Sequence, residues 1–302
     1  MRQHTLPRDS GLTARMTFTM FLLAAVYLAF VMVLWQAGVN YIFIAVFAGG
    51  MLLVQYFFSD KLVLASIGAH QVSPEQEPRL HGIVERLAAQ FNLPKPKVAV
   101  IQSNVPNALA TGRNPKNAVV AVTTGIMDKL TEPELEGVIA HELTHVKNRD
   151  VAVITLASFC ATRASFIVQM GVWFGLGMGG GRRDDREGGA SAVVLVYLVS
   201  ILVWIISFFL IRALSRYREL AADRGAAIIT GAPSQLASAL VKISGSMARI
   251  PDTDLRKVEG ASALMIIPAI SRGSFAGIFS THPSLKERIE QLRRLEAAME
   301  GA

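Results

Sequence analysis

In His141-Glu142-Leu143-Thr144-His145, residue type and spacing together point to a reaction. On a helix, residues four apart stand one turn above each other, so both imidazoles can reach a single metal ion. Imidazole nitrogens suit Zn2+, and a catalytic zinc keeps one position open for water. Glu142, beside that face, is placed to take a proton from a water whose pKa the metal lowers towards ~7. The pattern predicts metal-assisted hydrolysis.

A five-residue match can arise by chance, so its flanks matter. Thr131-Glu132-Pro133-Glu134 reads as a capping box with proline in the first turn. Leu135, Val138, Ile139 and Val146 make an apolar stripe beside the histidine face. Both features favour a packed helix over a surface helix that happens to carry two histidines.

Two histidines leave a catalytic zinc short of a protein ligand. The residues that follow, Val146-Lys147-Asn148-Arg149-Asp150, hold neither the Gly nor the third His of a metzincin. Glu219, in Arg218-Glu219-Leu220-Ala221-Ala222-Asp223, is the preferred third ligand. Asp223, one turn on, would accept a hydrogen bond from a ligand histidine and fix its tautomer. The rival is His282, the only histidine after His145. His282 reads better as a donor stabilising the oxyanion of the transition state, or as a cap of the last helix.

The elements that must position these residues include membrane spans. With 52% hydrophobic and 18% charged residues, the chain is too apolar for an ordinary soluble protein. Residues 16–35, 39–58 and 192–211 are runs of the ~20 residues that a span needs. The first leads straight into the second with no small-residue cleavage site, which predicts an anchor and not a cleaved signal. Residues 151–178 are long enough but carry Arg163 and Gln169. They read as a span whose arginine faces the bundle interior or a watery cavity, or else as a buried or interfacial helix. The apolar runs between His145 and Glu219 form a hairpin on the first of these readings, which returns both motifs to one membrane face.

Arg2, Arg8 and Arg15 precede the first run, and Arg212, Arg216, Arg218 and Arg224 follow the last. The positive-inside rule then places the tail and the soluble parts in the cytoplasm. The net charge of +7 suits an anionic leaflet. No basic stripe with interleaved aromatics appears, so nucleic acid is not an expected partner. A single cysteine, Cys160, excludes a disulfide framework and a cysteine metal site.

In the soluble parts, Ser73-Pro74-Glu75 opens a helix with Leu80, Ile83, Val84, Leu87 and Phe91 inward. His70 and His81, near it, lack partners at ligand spacing and read as surface or packing residues. Residues 97–102 and 118–123 read as strands. Between them, Asn107-Ala108-Leu109-Ala110-Thr111-Gly112 is either an edge strand that pairs with an extended substrate or a plain hairpin strand. A helix over 234–244 follows the last span. His282-Pro283-Ser284 starts a final amphipathic helix with Leu285, Ile289, Leu292 and Leu295 at helical spacing.

The fold class predicted is α+β, mainly α: a membrane-anchored metallopeptidase of zincin type with a small β-sheet in its cytoplasmic catalytic domain. Residues 1–60 form a tail and transmembrane hairpin, 61–150 the first part of the catalytic domain, 151–211 a second hydrophobic hairpin, and 212–302 the second catalytic part. Polypeptides and the lipid bilayer are the partners this implies.

The chain resembles the HtpX-type heat-shock membrane metalloproteases, relatives of the CAAX prenyl proteases. The resemblance rests on the paired N-terminal runs, 107–112, the His141–His145 motif, the hydrophobic hairpin, 215–223 and Thr281-His282-Pro283. It implies one zinc per chain, with His141, His145 and Glu219 as ligands and Glu142 as base. It also implies a bacterial inner-membrane endopeptidase with a cytoplasmic active site that cleaves misfolded or damaged membrane proteins. Two departures are local: Leu109 stands where an aromatic is frequent, and the N-terminal tail is longer than usual. Two other classes compete. A zinc-containing membrane scaffold or chaperone-like binder would not need Glu142. A transporter, suggested by Arg163 and the Gly-rich run, would have too large a soluble remainder for its spans.

Overall fold

A computed structural model describes residues 10–36, 64–150, 187–250, 265–267 and 282–301, together with 50, 53, 57 and 153. The apolar runs expected at 39–58 and 151–178 lie almost wholly outside these residues, as do Cys160 and Arg163. In chain order the elements are α1 (Ser10–Gln36), β1 (Ala69–Gln71), α2 (Pro78–Phe91), β2 (Lys97–Ile101), β3 (Ala108–Thr111), β4 (Val119–Thr123), α3 (Thr124–Lys129), α4 (Glu132–Asn148), α5 (Glu187–Thr230), α6 (Pro233–Met247) and α7 (Leu285–Glu300). The chain divides into two compact units, 13–56 with 153–214, and 1–12 with 57–152 and 215–302.

The first unit contains most of two long apolar helical segments. Ser10–Val33 and Tyr197–Thr230 are helical segments long and apolar enough to cross a membrane. Phe30 packs with Val203, and Leu23 with Leu214, each pair flanked by further apolar side chains. Phe21, Leu28 and Trp35 of α1 and Leu198 of α5 are more than half exposed. Large apolar side chains facing outward along a helix are the surface that a hydrocarbon phase covers.

The second unit is built on a four-stranded mixed sheet in the order β1-β2-β4-β3. β2 and β4 run parallel, while β1 on β2 and β3 on β4 are antiparallel. Every residue of β4, and all of β2 after Lys97, is buried, as continuous β-branched runs in central strands require. One core joins the sheet to α2, α4, α6 and α7 through Leu80, Leu87, Val120, Val138, Leu240 and Leu292.

Two starts differ from the sequence expectation. Residues 73–77 form a turn, with Gln76 and Glu77 donating to the Ser73 carbonyl, and α2 begins at Pro78. The residue before a proline is pushed out of the α region, and Glu77 sits at φ −133°, ψ 67°. At α7 the cap is Ser284, whose hydroxyl accepts from the Glu287 N–H at 3.2 Å; His282 is used elsewhere.

Candidate metal centre

Helix α4 is fixed at its start. The Glu134 carboxylate accepts from the Thr131 N–H and hydroxyl, both at 2.9 Å, closing the capping box. Its oxygens also accept from Ser238 at 2.7 Å and Lys242 at 2.8 Å on α6. Burial works to raise the Glu134 pKa, but these bonds, led by that of Lys242, hold it down at about 2. Leu135, Val138, Ile139 and Val146 are all buried, and the adjoining face of the helix turns His141 and His145 towards α5.

Helix α5 brings Glu219 and Asp223, one turn apart, against that side. Gly225 permits the approach: a Cβ there would stand 2.5 Å from Thr144 Cγ2 and 2.7 Å from its Oγ1. Only a residue without a side chain lets the backbone come so near. The nitrogens Nε2 of His141 and His145 are 3.1 Å apart. Glu219 Oε1 lies 3.3 Å from the His145 nitrogen, and Oε2 lies 3.6 Å from that of His141.

These spacings test whether a metal fits. Ligand atoms at ~2.1 Å in tetrahedral geometry stand about 3.4 Å from one another. The three separations, 3.1, 3.3 and 3.6 Å, bracket that figure. With each Nδ1 donating to an aspartate, two neutral rings would meet lone pair to lone pair at 3.1 Å, a repulsion that a shared cation relieves. Burial disfavours a charged His141, yet the Asp223 and Glu219 carboxylates outweigh it and raise the ring's pKa. The centre therefore attracts positive charge at His141. His141, His145 and Glu219 can hold a metal ion.

Each histidine of the pair is supported behind the ring. His141 Nδ1 is 2.9 Å from Asp223 Oδ1, and His145 Nδ1 is 2.5 Å from Asp150 Oδ2. Arg218 Nη2 reaches the same Asp150 oxygen at 3.0 Å, and Arg288 clasps both oxygens of Asp223. The sequence reading names Asp223 for such a contact. Asp150, Arg218 and Arg288 were not singled out by it.

Glu142 is buried, and burial pushes its carboxyl above the usual range. Its Oε1 has no hydrogen-bond partner among the described residues. Its carboxylate also interacts with the Ala110 main-chain N–H of β3. His282 is buried with Nδ1 3.0 Å from Glu219 Oε2, so the two candidates for third ligand touch each other. Of the two, Glu219 is the one grouped with both histidines, all three ligand atoms lying within 4.8 Å of one another.

Residues 107–112 form β3 and its flanks, at the edge of the sheet. The chain leaves β3 at Gly112, whose φ of +130° suits glycine. That edge is already partly engaged. The Ile266 N–H donates to the Ala108 carbonyl at 3.1 Å, and Leu109 forms a bridge with Met265. The Asn107 amide donates to the Ile267 carbonyl at 2.7 Å. His70, in β1, is exposed, and His81 is buried with Nε2 3.0 Å from the Val72 carbonyl; neither joins the centre.

Residues 74–296 match the model of peptidase family M48. The chain belongs to that family. The M48 chain is 64% identical over 296 residues to the "Protease HtpX homolog" of Moorella thermoacetica, with 98% of each covered. It is 60% identical over 292 residues to "Protease HtpX homolog 2" of Methanosarcina acetivorans, covering 97% of this chain and 98% of that one. The crystal structure of S. mikatae Ste24p shares its fold, with a TM-score of 0.53 at 16% identity; 93% of this chain is matched and 66% of that one. Family membership and the two apolar helices make this a membrane metallopeptidase.

Proposed function

We propose that this M48 peptidase is a zinc-dependent endopeptidase of the bacterial inner membrane, with its centre facing the cytoplasm, that cleaves misfolded or damaged membrane proteins. The convergence of His141, His145 and Glu219 at spacings matching a tetrahedral ion carries the reading. The two-imidazole, one-carboxylate donor set favours zinc. Residues 61–150 and 212–302 are the catalytic parts, and 1–60 and 151–211 the membrane hairpins. The arginines flanking the apolar runs support the orientation.

Zinc, when bound, supplies a Lewis acid that polarises the peptide carbonyl and lowers the pKa of water. Glu142 takes the proton of the attacking water and hands it to the leaving amine nitrogen. Its burial raises the carboxyl pKa, which helps it hold that proton between the two transfers. Asp223 and Asp150 keep Nδ1 of each histidine protonated, so that Nε2 remains a ligand. His282 donates to the oxygen that becomes negative in the transition state. The edge of β3 within residues 107–112, beyond its contacts with Met265 and Ile266, binds an extended polypeptide through main-chain hydrogen bonds.

Detergent-purified protein is expected to carry one zinc per chain and to cleave casein until a chelator is added. Glu142→Gln is expected to keep the zinc and lose about 10²- to 10⁴-fold in rate. Zinc-loaded wild type that cleaves no polypeptide would leave a non-catalytic scaffold, and Glu142→Gln at wild-type rate would refute the assigned base.

A further inference from the structure

Arg288 is buried in the centre, yet no step of hydrolysis calls on it to touch substrate. Its Nη2 donates to Asp223 Oδ1 at 2.6 Å and its Nε to Asp223 Oδ2 at 2.8 Å. A guanidinium fork on both oxygens fixes the rotation of a carboxylate as well as its charge. Nη1 donates to the Ile266 carbonyl at 2.7 Å and stands 3.7 Å from Glu219 Oε2. The Ile266 N–H in turn holds the Ala108 carbonyl on the outer edge of β3.

We propose that Arg288 is a positioning residue of this peptidase: it orients His141 through Asp223, and ties that support to the β3 edge through Ile266. The inference rests on the zinc reading above and deepens it. Asp223 Oδ1 receives both Arg288 Nη2 and His141 Nδ1, which brings Nη2 to 3.4 Å from that ring nitrogen. With the carboxylate held on both oxygens, its remaining acceptor direction is fixed, and the tautomer protonated on Nδ1 satisfies it. His141 Nε2 then keeps its lone pair towards His145 and Glu219. A carboxylate free to turn would let the imidazole turn with it, and ligand direction would be lost although every ligand remained.

A purely structural arginine, present only to neutralise Asp223, would predict lost stability when removed. The conservative variant separates the roles. Arg288→Lys keeps the buried cation but has no planar fork, so it cannot clasp both oxygens in one plane.

The experiment uses full-length protein in detergent: wild type, Arg288→Lys, Arg288→Gln, Asp223→Asn and the double variant Arg288→Gln/Asp223→Asn. Zinc affinity is measured by chelator competition, the His141 ring state by its ¹⁵N resonances, and folding by thermal unfolding. Arg288→Gln is expected to bind zinc about 10- to 100-fold more weakly and to lose the Nδ1–H signature of His141. Arg288→Lys should unfold near the wild-type temperature and bind zinc with intermediate affinity. The double variant should bind no more weakly than Asp223→Asn alone, because the two residues act in series. Wild-type zinc affinity and an unchanged His141 signature in both Arg288 variants would overturn the inference, as would additive losses. A wild type that takes up no zinc overturns the metal reading instead, so the two failures are distinct.

Discussion

His141 and His145 each hand a hydrogen bond from Nδ1 to an aspartate, and each aspartate meets an arginine, but the two supports are built on different scales. Behind His145 the aspartate is five residues away. Helix α4 ends with Arg149 in the left-handed region, at φ 57°, and Asp150 lies with its carboxylate against the His145 ring. One oxygen, Oδ2, takes both His145 and Arg218, and the His145 side chain keeps 14% of its exposure. Behind His141 the support draws on α4, α5 and α7, both Asp223 oxygens are used, and none of the three side chains exceeds 3% exposure. The near support needs only a helix end and one arginine from α5. The far one exists only when three sequence-distant elements have packed, so the geometry of His141 is tied to the packing of α4, α5 and α7.

This contrast is most directly broken at Asp223. Asp223→Asn strands Arg288 beside a neutral amide. It is expected to cost about 3–5 kcal/mol in stability and about 100-fold in zinc affinity, measured by denaturant unfolding and chelator competition. An effect no larger than that of Asp150→Asn would erase the distinction between the two supports.

Gly225→Ala tests what both share, the closeness of α5 to α4. The methyl has no room beside Thr144. A loss of about 2–3 kcal/mol in thermal unfolding is expected, with zinc affinity falling alongside. Unchanged unfolding and unchanged affinity would mean that the helices do not meet this closely.

Asp150→Asn is expected to weaken zinc only about 10-fold, because a partly exposed ring recruits water in place of the lost acceptor. Equal losses at Asp150 and Asp223 would count against burial as the cause of the difference.

Glu134→Gln is the remote control, at the start of α4 and away from both rings. It is expected to cost about 1–2 kcal/mol, limited because the Lys242 partner is half exposed and screened. The sign is set by a folded pKa of about 2 below a reference of 4.5. The stabilisation is complete above pH 4.5 and disappears as pH falls through about 2. Zinc affinity at neutral pH should stay at the wild-type value, which sets the centre apart from its scaffold.

The features legible in the sequence are those carried by short-range pattern. The capping box, the stripe of α4 and the central strands follow from spacing and β-branched composition. The pairing of Glu219 with Asp223 follows from one helical turn. β1 escaped because three residues with no apolar alternation leave no periodic trace. Asp150 escaped because its placement depends on a left-handed Arg149, and no glycine marks that turn. Arg288 did leave a signal: it falls on the buried stripe of α7, with Leu285 three residues before it and Leu292 and Leu295 after. An arginine on a core-facing stripe calls for a buried acid, and Asp223 is that acid. The contact of Met265 and Ile266 with β3 has no local counterpart in the sequence and emerges only from the assembled sheet.

The tight spot between Gly225 and Thr144 also limits how this centre could be re-engineered. The gap there accommodates one small side chain, and the threonine has claimed it. Moving bulk to position 225 is workable only by trimming position 144 in step, so the pair can trade a methyl but never both own one. Any redesign of the ion's cage must treat these two positions as a single choice.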